Sequence, residues 1–296
     1  MKKKTLSVEK RQTRAGWLFA LPWLIGLVYF FVIPFAQSVW YSFNDVKISE
    51  TVAGLTYKFV GFYNFDYMLF KESTFNQSLV ASVTDLLYTV PVVLIFSVFI
   101  AILLNQEFKG RMFMRGLFFL PVIIASGVVI EIIQGDVFSN NNAQNVQTIF
   151  QTGAIEAAMS RVGLPPKIVE IITGVTSGIF DLSWKSGIQI LLFISALQGI
   201  PVSYYEAASI EGANAWESFW KITFPVLSPT LFLAAIYTII DSFVDVANPV
   251  MKRILERIDA LYYGMASASA VIYFIVIMLV VGLVALIFSK RLFHNG

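Results

Sequence analysis

The side chains able to do chemistry in this sequence are few, and several lie where an apolar environment surrounds them. Gln189, Gln198, Asp241, Asp245 and Asn248 are amides and carboxylates within or just beyond long apolar runs. Such groups are costly to hold in an apolar medium, so each is a candidate contact for a polar solute. Packing or simple hydration accounts for each of them as well, most easily for Asp241, which stands at an expected helix end. Familiar catalytic sets are missing. The chain has no cysteine, and its one histidine, His294, is the third residue from the end. Thiolate and histidine zinc sites and serine–histidine catalysis therefore lack their parts.

A second constellation lies between Pro201 and Pro225. Ser203 with Glu206 three residues on has the spacing of a capping box, and Asn214 with Glu217 repeats it. Gly212 stands between them, where a left-handed residue would end the first helix. The spacing predicts a short helix, a turn and a second helix leading into an apolar run. Ala207 and Ala208 are small enough for another surface to approach the first helix closely. Trp216, Phe219 and Trp220 recur at helical spacing and are expected to pack on the chain's own helices.

The elements that position these residues follow from composition. Of 296 residues, 57% are hydrophobic and 14% charged, against roughly a quarter charged in a soluble domain. One soluble core of this size cannot hide that much apolar surface. A bilayer-spanning helix needs about 20 mostly apolar residues. Uncharged runs occur at 15–44, 86–106, 116–130, 186–205, 222–240 and 260–289, the third extended by snorkelling of Arg115 and by the apolar pattern through Ile133. The expectation is an all-α membrane protein of six spans in a single transmembrane domain, 1–296. The weaker stretch 168–180 carries Glu170 and two glycines and is expected to be interfacial or re-entrant.

Six spans place both termini on one side. Lys and Arg are several-fold denser in 1–16, 105–115, 204–221 and 290–296 than in 37–85, 131–185 and 241–262. The positive-inside rule makes the first group cytoplasmic. Residues 1–16 are then a cytoplasmic segment, 134–185 a large extracytoplasmic loop, and 203–224 a structured cytoplasmic projection. The basic start followed by a long apolar run reads as a retained anchor, since the run exceeds a secretory core. The aromatic segment Phe59 to Leu69 is expected along the lipid headgroups, and Pro165-Pro166 to separate two short helices of the large loop.

The projection matches a family pattern. Permease subunits of ABC importers carry Glu-Ala-Ala, three residues, Gly, nine residues, Ile, one residue and Leu-Pro. Here Glu206-Ala207-Ala208, Gly212, Ile222 and Pro225 stand at those spacings, with Phe224 in place of Leu. Arg14 to Pro22, Phe59-Val60-Gly61, Arg115 to Pro121 and Ala196 to Pro201 also resemble the carbohydrate-type permeases, in particular the first of the two maltose-importer membrane subunits. Residues 244–262 depart from the glycine-rich external loop of that family.

The resemblance implies a type I importer permease fold that carries a sugar or sugar-like solute across a bacterial cytoplasmic membrane. It implies that Glu206, Ala207, Ala208, Ile210, Gly212 and Pro225 dock a separate ATPase. The implied partners are a second permease, forming a heterodimer, two ATPase subunits, an extracytoplasmic solute-binding protein and membrane lipid, with no nucleic acid. The chain carries no Gly-x-x-x-x-Gly-Lys-Ser/Thr loop. ATP and magnesium are thus expected in the partner ATPase, and this chain is expected to hold no cofactor or metal. The alternative is an ion-driven secondary transporter, which would want buried ionisable residues and broken helices; the interiors of the six runs lack charge. An intramembrane enzyme lacks a nucleophile–base or metal set.

Overall fold

The computed structural model describes residues 8–48, 54–116, 118, 159 and 165–292. The expected third span and most of the large loop lie outside the described residues. Helices are α1 (Val8–Leu27), α2 (Ile33–Ser42), α3 (Tyr63–Asp66), α4 (Ser73–Asn105), α5 (Pro166–Gln198), α6 (Val202–Ile210), α7 (Ala215–Ser218), α8 (Phe224–Val244), α9 (Pro249–Asp259) and α10 (Tyr263–Leu292). Short π-helical turns fill Val28–Val32, Tyr67–Lys71 and Phe219–Thr223. Among the described residues, five helical stretches are long and apolar enough to cross a membrane: Gly16–Ser42, Ser73–Asn105, Pro166–Gln198, Ala215–Asp259 and Tyr263–Phe288.

Two features correct the sequence-based expectations. The stretch 168–180 is not a separate re-entrant segment but the first half of α5, a continuous helix of 33 residues. Pro166 occupies the first helical turn, where its missing N–H costs nothing, and nothing downstream breaks the helix before Gly199. Nor is the chain wholly helical. β1 (Asn44–Ile48) and β2 (Leu55–Phe59) form an antiparallel hairpin pairing Asn44 with Phe59 and Ile48 with Leu55.

The chain divides into two compact units, Met1–Thr84 with Phe243–Val280 and Asp85–Ser242 with Val281–Gly296. In the first, the hairpin is held by Asn64, whose Nδ2 donates to the carbonyls of Ser42 (3.0 Å) and Asn44 (3.1 Å). Gly264 lies against the Asn44 carbonyl so closely that a Cβ there would collide with it. Residues 249–259, expected only as part of an external loop, form the amphipathic helix α9. Three contacts fasten α9 to α4 and the residue before it: Ser82 Oγ donates to Asn248 Oδ1 (3.0 Å), Arg253 Nε to Ser78 Oγ (2.9 Å), and Arg257 pairs with Glu72. Arg257 also donates to Ser269 and lies 5.3 Å from the centre of the Phe75 ring.

In the second unit, Leu94, Ala101 and Leu104 of α4 pack with Ile190, Phe193, Ile194 and Leu197 of α5 and with Leu227, Ala234 and Ala235 of α8. These positions recur at helical spacing, so each helix turns one stripe inward. The alanines let backbones approach closely, the usual device where lipid supplies no hydrophobic drive for helix association.

Candidate functional site

Two places in the second unit bring the candidate residues into a defined geometry. The first is the loop joining α5 to α8. α6 begins at Val202 because Pro201 is its N-cap, with φ −62° and ψ 134°. A proline without N–H opens a helix readily and cannot continue one. Ser203 therefore lies inside the helix, and the expected Ser203–Glu206 capping box does not form. Glu206 is exposed and free of capping duty, and its charge faces outward.

The end of α6 follows expectation. Gly212 has φ +82°, and the Ala213 amide reaches back to the Ala208 carbonyl (2.9 Å) while Gly212 N donates to Ser209 O (3.1 Å). A side chain at Gly212 would meet nothing within 4 Å, so only backbone conformation requires glycine there. The second capping box also forms: Glu217 N donates to Asn214 Oδ1 (2.9 Å) and Asn214 N to Glu217 Oε2 (3.1 Å). A π-turn, Phe219–Thr223, then precedes Pro225, the second residue of α8. Pro225 can make no bond to the Lys221 carbonyl, and the wider turn absorbs that gap.

α6 buries none of its residues in the chain itself, and Ile210 is 87% exposed. Ala207, Glu206, Val202 and Tyr204 are uncovered as well. Tyr205 anchors it to the bundle, its hydroxyl lying 2.8 Å from that of the buried Thr223. Of the aromatic residues expected to pack inward, only Phe219 is half-buried. Trp216 and Trp220 are exposed and lie edge-to-face against each other, 5.7 Å between ring centres. They face outward because α7 is one turn long and Phe219 alone points to the ends of α4 and α5.

The second place is the interior of the helix packing. Gln189 is fully buried, and its Nε2 donates to Thr238 Oγ1 (2.9 Å). Thr238 in turn donates to the Ala234 carbonyl (2.7 Å). Gln189 Oε1 accepts no hydrogen bond among the described residues. A buried acceptor left this way carries a cost of about 1–3 kcal/mol unless a donor reaches it. Asp241 stands one turn beyond Thr238 on α8, and its residue is exposed.

The other three polar candidates are separate from this pair. Gln198 ends α5 beside Arg115; with its amide oxygen toward the guanidinium it accepts bonds of 3.0 and 3.2 Å. Arg115 also caps α4 by donating to the Leu104 carbonyl (3.1 Å). Burial, and then neighbouring Arg111, lower the Arg115 pKa. Gln198 and Asp241 thus lie at opposite ends of the packing, not together: Asp241 is 17 residues along α8 from Phe224, about 26 Å at the helical rise. Asp245 and Asn248 belong to the first unit, where their side chains cap backbone amides of Ala247 and Val250.

Sequence reasoning missed Thr238 as the partner of Gln189 and the Tyr205–Thr223 contact. It also placed Asp85 in a loop. Asp85 lies inside α4, accepting from Tyr88 and from Thr89 (3.3 Å), where the polar first half of the helix gives way to its apolar second half. The spacing of 85, 88 and 89 was the available signal.

The fold has counterparts among known proteins. No protein-family model matches the chain. The probable ABC transporter permease protein YesP of Bacillus subtilis (strain 168) is 32% identical over 307 residues, covering 97% of this chain and 93% of YesP. The multiple sugar-binding transport system permease protein MsmF of Streptococcus mutans is 31% identical over 225 residues, covering 75% of this chain and 71% of MsmF. A chain of a bacterial alginate ABC transporter, solved in complex with an alginate pentasaccharide-bound periplasmic protein, superimposes with a TM-score of 0.65. It shares 17% identity and covers 97% of this chain and 99% of its own.

Proposed function

Because this chain belongs to the permease family of ABC sugar importers, we propose that it lines one half of a saccharide path and docks a separate ATPase through α6. The observation that carries the docking role is that α6 buries none of its own residues. A nine-residue helix is too short to be stable by itself in water. Its exposed face of Val202, Glu206, Ala207 and Ile210 needs a covering surface, and the small Ala207 and Ala208 allow close approach. Glu206 supplies charge to that contact, Gly212 the turn, and Pro225 the kinked entry into α8.

The solute role falls to Gln189, whose buried Oε1 meets no donor among the described residues, with the exposed Asp241 carboxylate one turn beyond its partner Thr238 as a second polar group. Gln189 Oε1 is an acceptor awaiting a donor, and a sugar hydroxyl is one. Asp245, Asn248 and Gln198 act instead by holding the elements around them. ATP and magnesium belong to the ATPase, and this chain binds neither. A second permease completes the path as a heterodimer, two ATPase subunits bind the cytoplasmic face, and an extracytoplasmic binding protein delivers solute. Both termini and α6 face the cytoplasm of a bacterium, in six spans with the third within 116–133. The similar chains are ABC permeases, which favours this reading over an ion-driven transporter.

Co-expression with the ATPase tests the docking role. Glu206→Ala and Gly212→Val should leave permease abundance normal, reduce co-purified ATPase, and lower uptake and solute-stimulated ATP hydrolysis together. Full ATPase retention with full uptake in both variants would reduce the loop to a connection.

A further inference from the structure

A cleft of about 530 Å³ opens between the ends of α4 and α5 and the α7–π-turn segment. Its size lies within the roughly 300–1,000 Å³ of small-molecule sites. Ile102 and the buried Leu197 give it an apolar floor, and Phe219 contributes an aromatic ring. At its edge stand three consecutive hydrogen-bonding side chains, Asn105, Gln106 and Glu107. Gln106 and Glu107 are exposed and Asn105 is half-buried, so all three can meet a ligand. The opposite wall carries the paired hydroxyls of Tyr205 and Thr223.

Two amides and a carboxylate can each bridge neighbouring hydroxyls, because each offers two polar atoms a fixed distance apart. A ring beside them offers a flat face to the C–H side of a sugar. The cleft has no cation among its lining residues, which disfavours a phosphate or carboxylate ligand. Hydroxyl-rich neutral solutes fit this lining best.

We propose that this cleft is a second saccharide site, distinct from the path through the helices, and that it is filled from the cytoplasmic side. The inference rests on the reading of the chain as a sugar importer's permease. An occupant spanning Asn105–Glu107 and Phe219 ties the ends of the bundle to the docking loop. Its affinity for this arrangement over any other stabilises the arrangement by that difference. Accumulated sugar then slows the ATPase-driven cycle, a product-side brake.

The complete importer, in proteoliposomes with its ATPase subunits facing the bath, provides the test. Binding protein and sugar are enclosed, ATP is supplied outside, and maltotriose or arabinotriose is added to the bath. Transport and ATP hydrolysis without bath sugar report on the permease reading itself. Wild type should lose ATP hydrolysis saturably as bath sugar rises. Glu107→Gln and Asn105→Ala should keep the uninhibited rate while raising the half-inhibiting concentration by up to about tenfold, the scale of one lost hydrogen bond. Active transport with no inhibition by either trisaccharide would overturn the second site and leave the permease reading intact. Inhibition unchanged in both variants would also overturn it, placing the brake elsewhere. Absence of transport for every enclosed saccharide would instead strike the permease reading.

Discussion

The hydroxyl of Tyr205 lies 2.8 Å from that of Thr223, joining an otherwise uncovered helix to the π-turn that opens α8. Force applied to α6 by a bound partner therefore has a direct route into an apolar helix that carries Thr238 and Asp241. Tyr205→Phe should remove a contact worth about 0.5–1.5 kcal/mol. ATPase binding should survive, since the exposed face is untouched, while the ratio of sugar transported to ATP hydrolysed falls. An unchanged ratio in the reconstituted importer would show that coupling does not pass through this pair.

Gly212 separates a conformational requirement from a contact. Its φ of +82° is unfavourable for a side chain, yet space around it is open. Gly212→Ala should cost about 1–2 kcal/mol locally, and Gly212→Asn less, because asparagine tolerates the left-handed region. ATPase retention should rank Gly, then Asn, then Ala. Equal loss for both substitutions would mean the partner touches this position directly.

Gly264 should behave in the opposite way. A Cβ there collides with the Asn44 carbonyl, which is backbone and cannot swing aside. Gly264→Ala should lower the abundance of folded permease sharply, while Gly282→Ala, with open space around it, should not. Normal yield of the first variant would show that the hairpin is free to move away from α10.

Gln189 predicts stability and transport moving apart. Gln189→Met keeps the volume and removes the buried acceptor without stranding Thr238, which already donates to Ala234. The thermal midpoint of the purified permease should stay level or rise, by the equivalent of up to about 1–3 kcal/mol. The sugar concentration for half-maximal uptake should increase. A fall in stability with unchanged uptake would make Gln189 a packing group.

Much of this arrangement was legible in the sequence, for identifiable reasons. The Asn214–Glu217 box and the Gly212 turn are local devices, set by residues three to five apart, and both form as the spacing implies. Ser203 failed because Pro201, two residues earlier, had already fixed the helix start; a competing local signal outranked the capping one. Charge counting misled at two points. It started the second and fourth apolar runs only after Asp85 and Lys185, although α4 and α5 begin well before both charges and reach 33 residues each. At about 50 Å, such helices outreach the roughly 30 Å apolar slab, so they have room for charged residues outside it. The roles of Asn248 and Arg257 were not readable, since both depend on partners far away in the chain, Ser82 and Glu72.

Ile210 reports most directly on the proposed covering of the exposed face of α6 by a separate ATPase. The chain has no cysteine, so Ile210→Cys introduces a single thiol at a position 87% exposed in the isolated chain. The measurement is its rate of maleimide labelling in the purified permease with and without bound ATPase. Rapid labelling of the permease alone and strong protection in the assembled importer are expected. Labelling at the same rate in both would contradict the proposed covering.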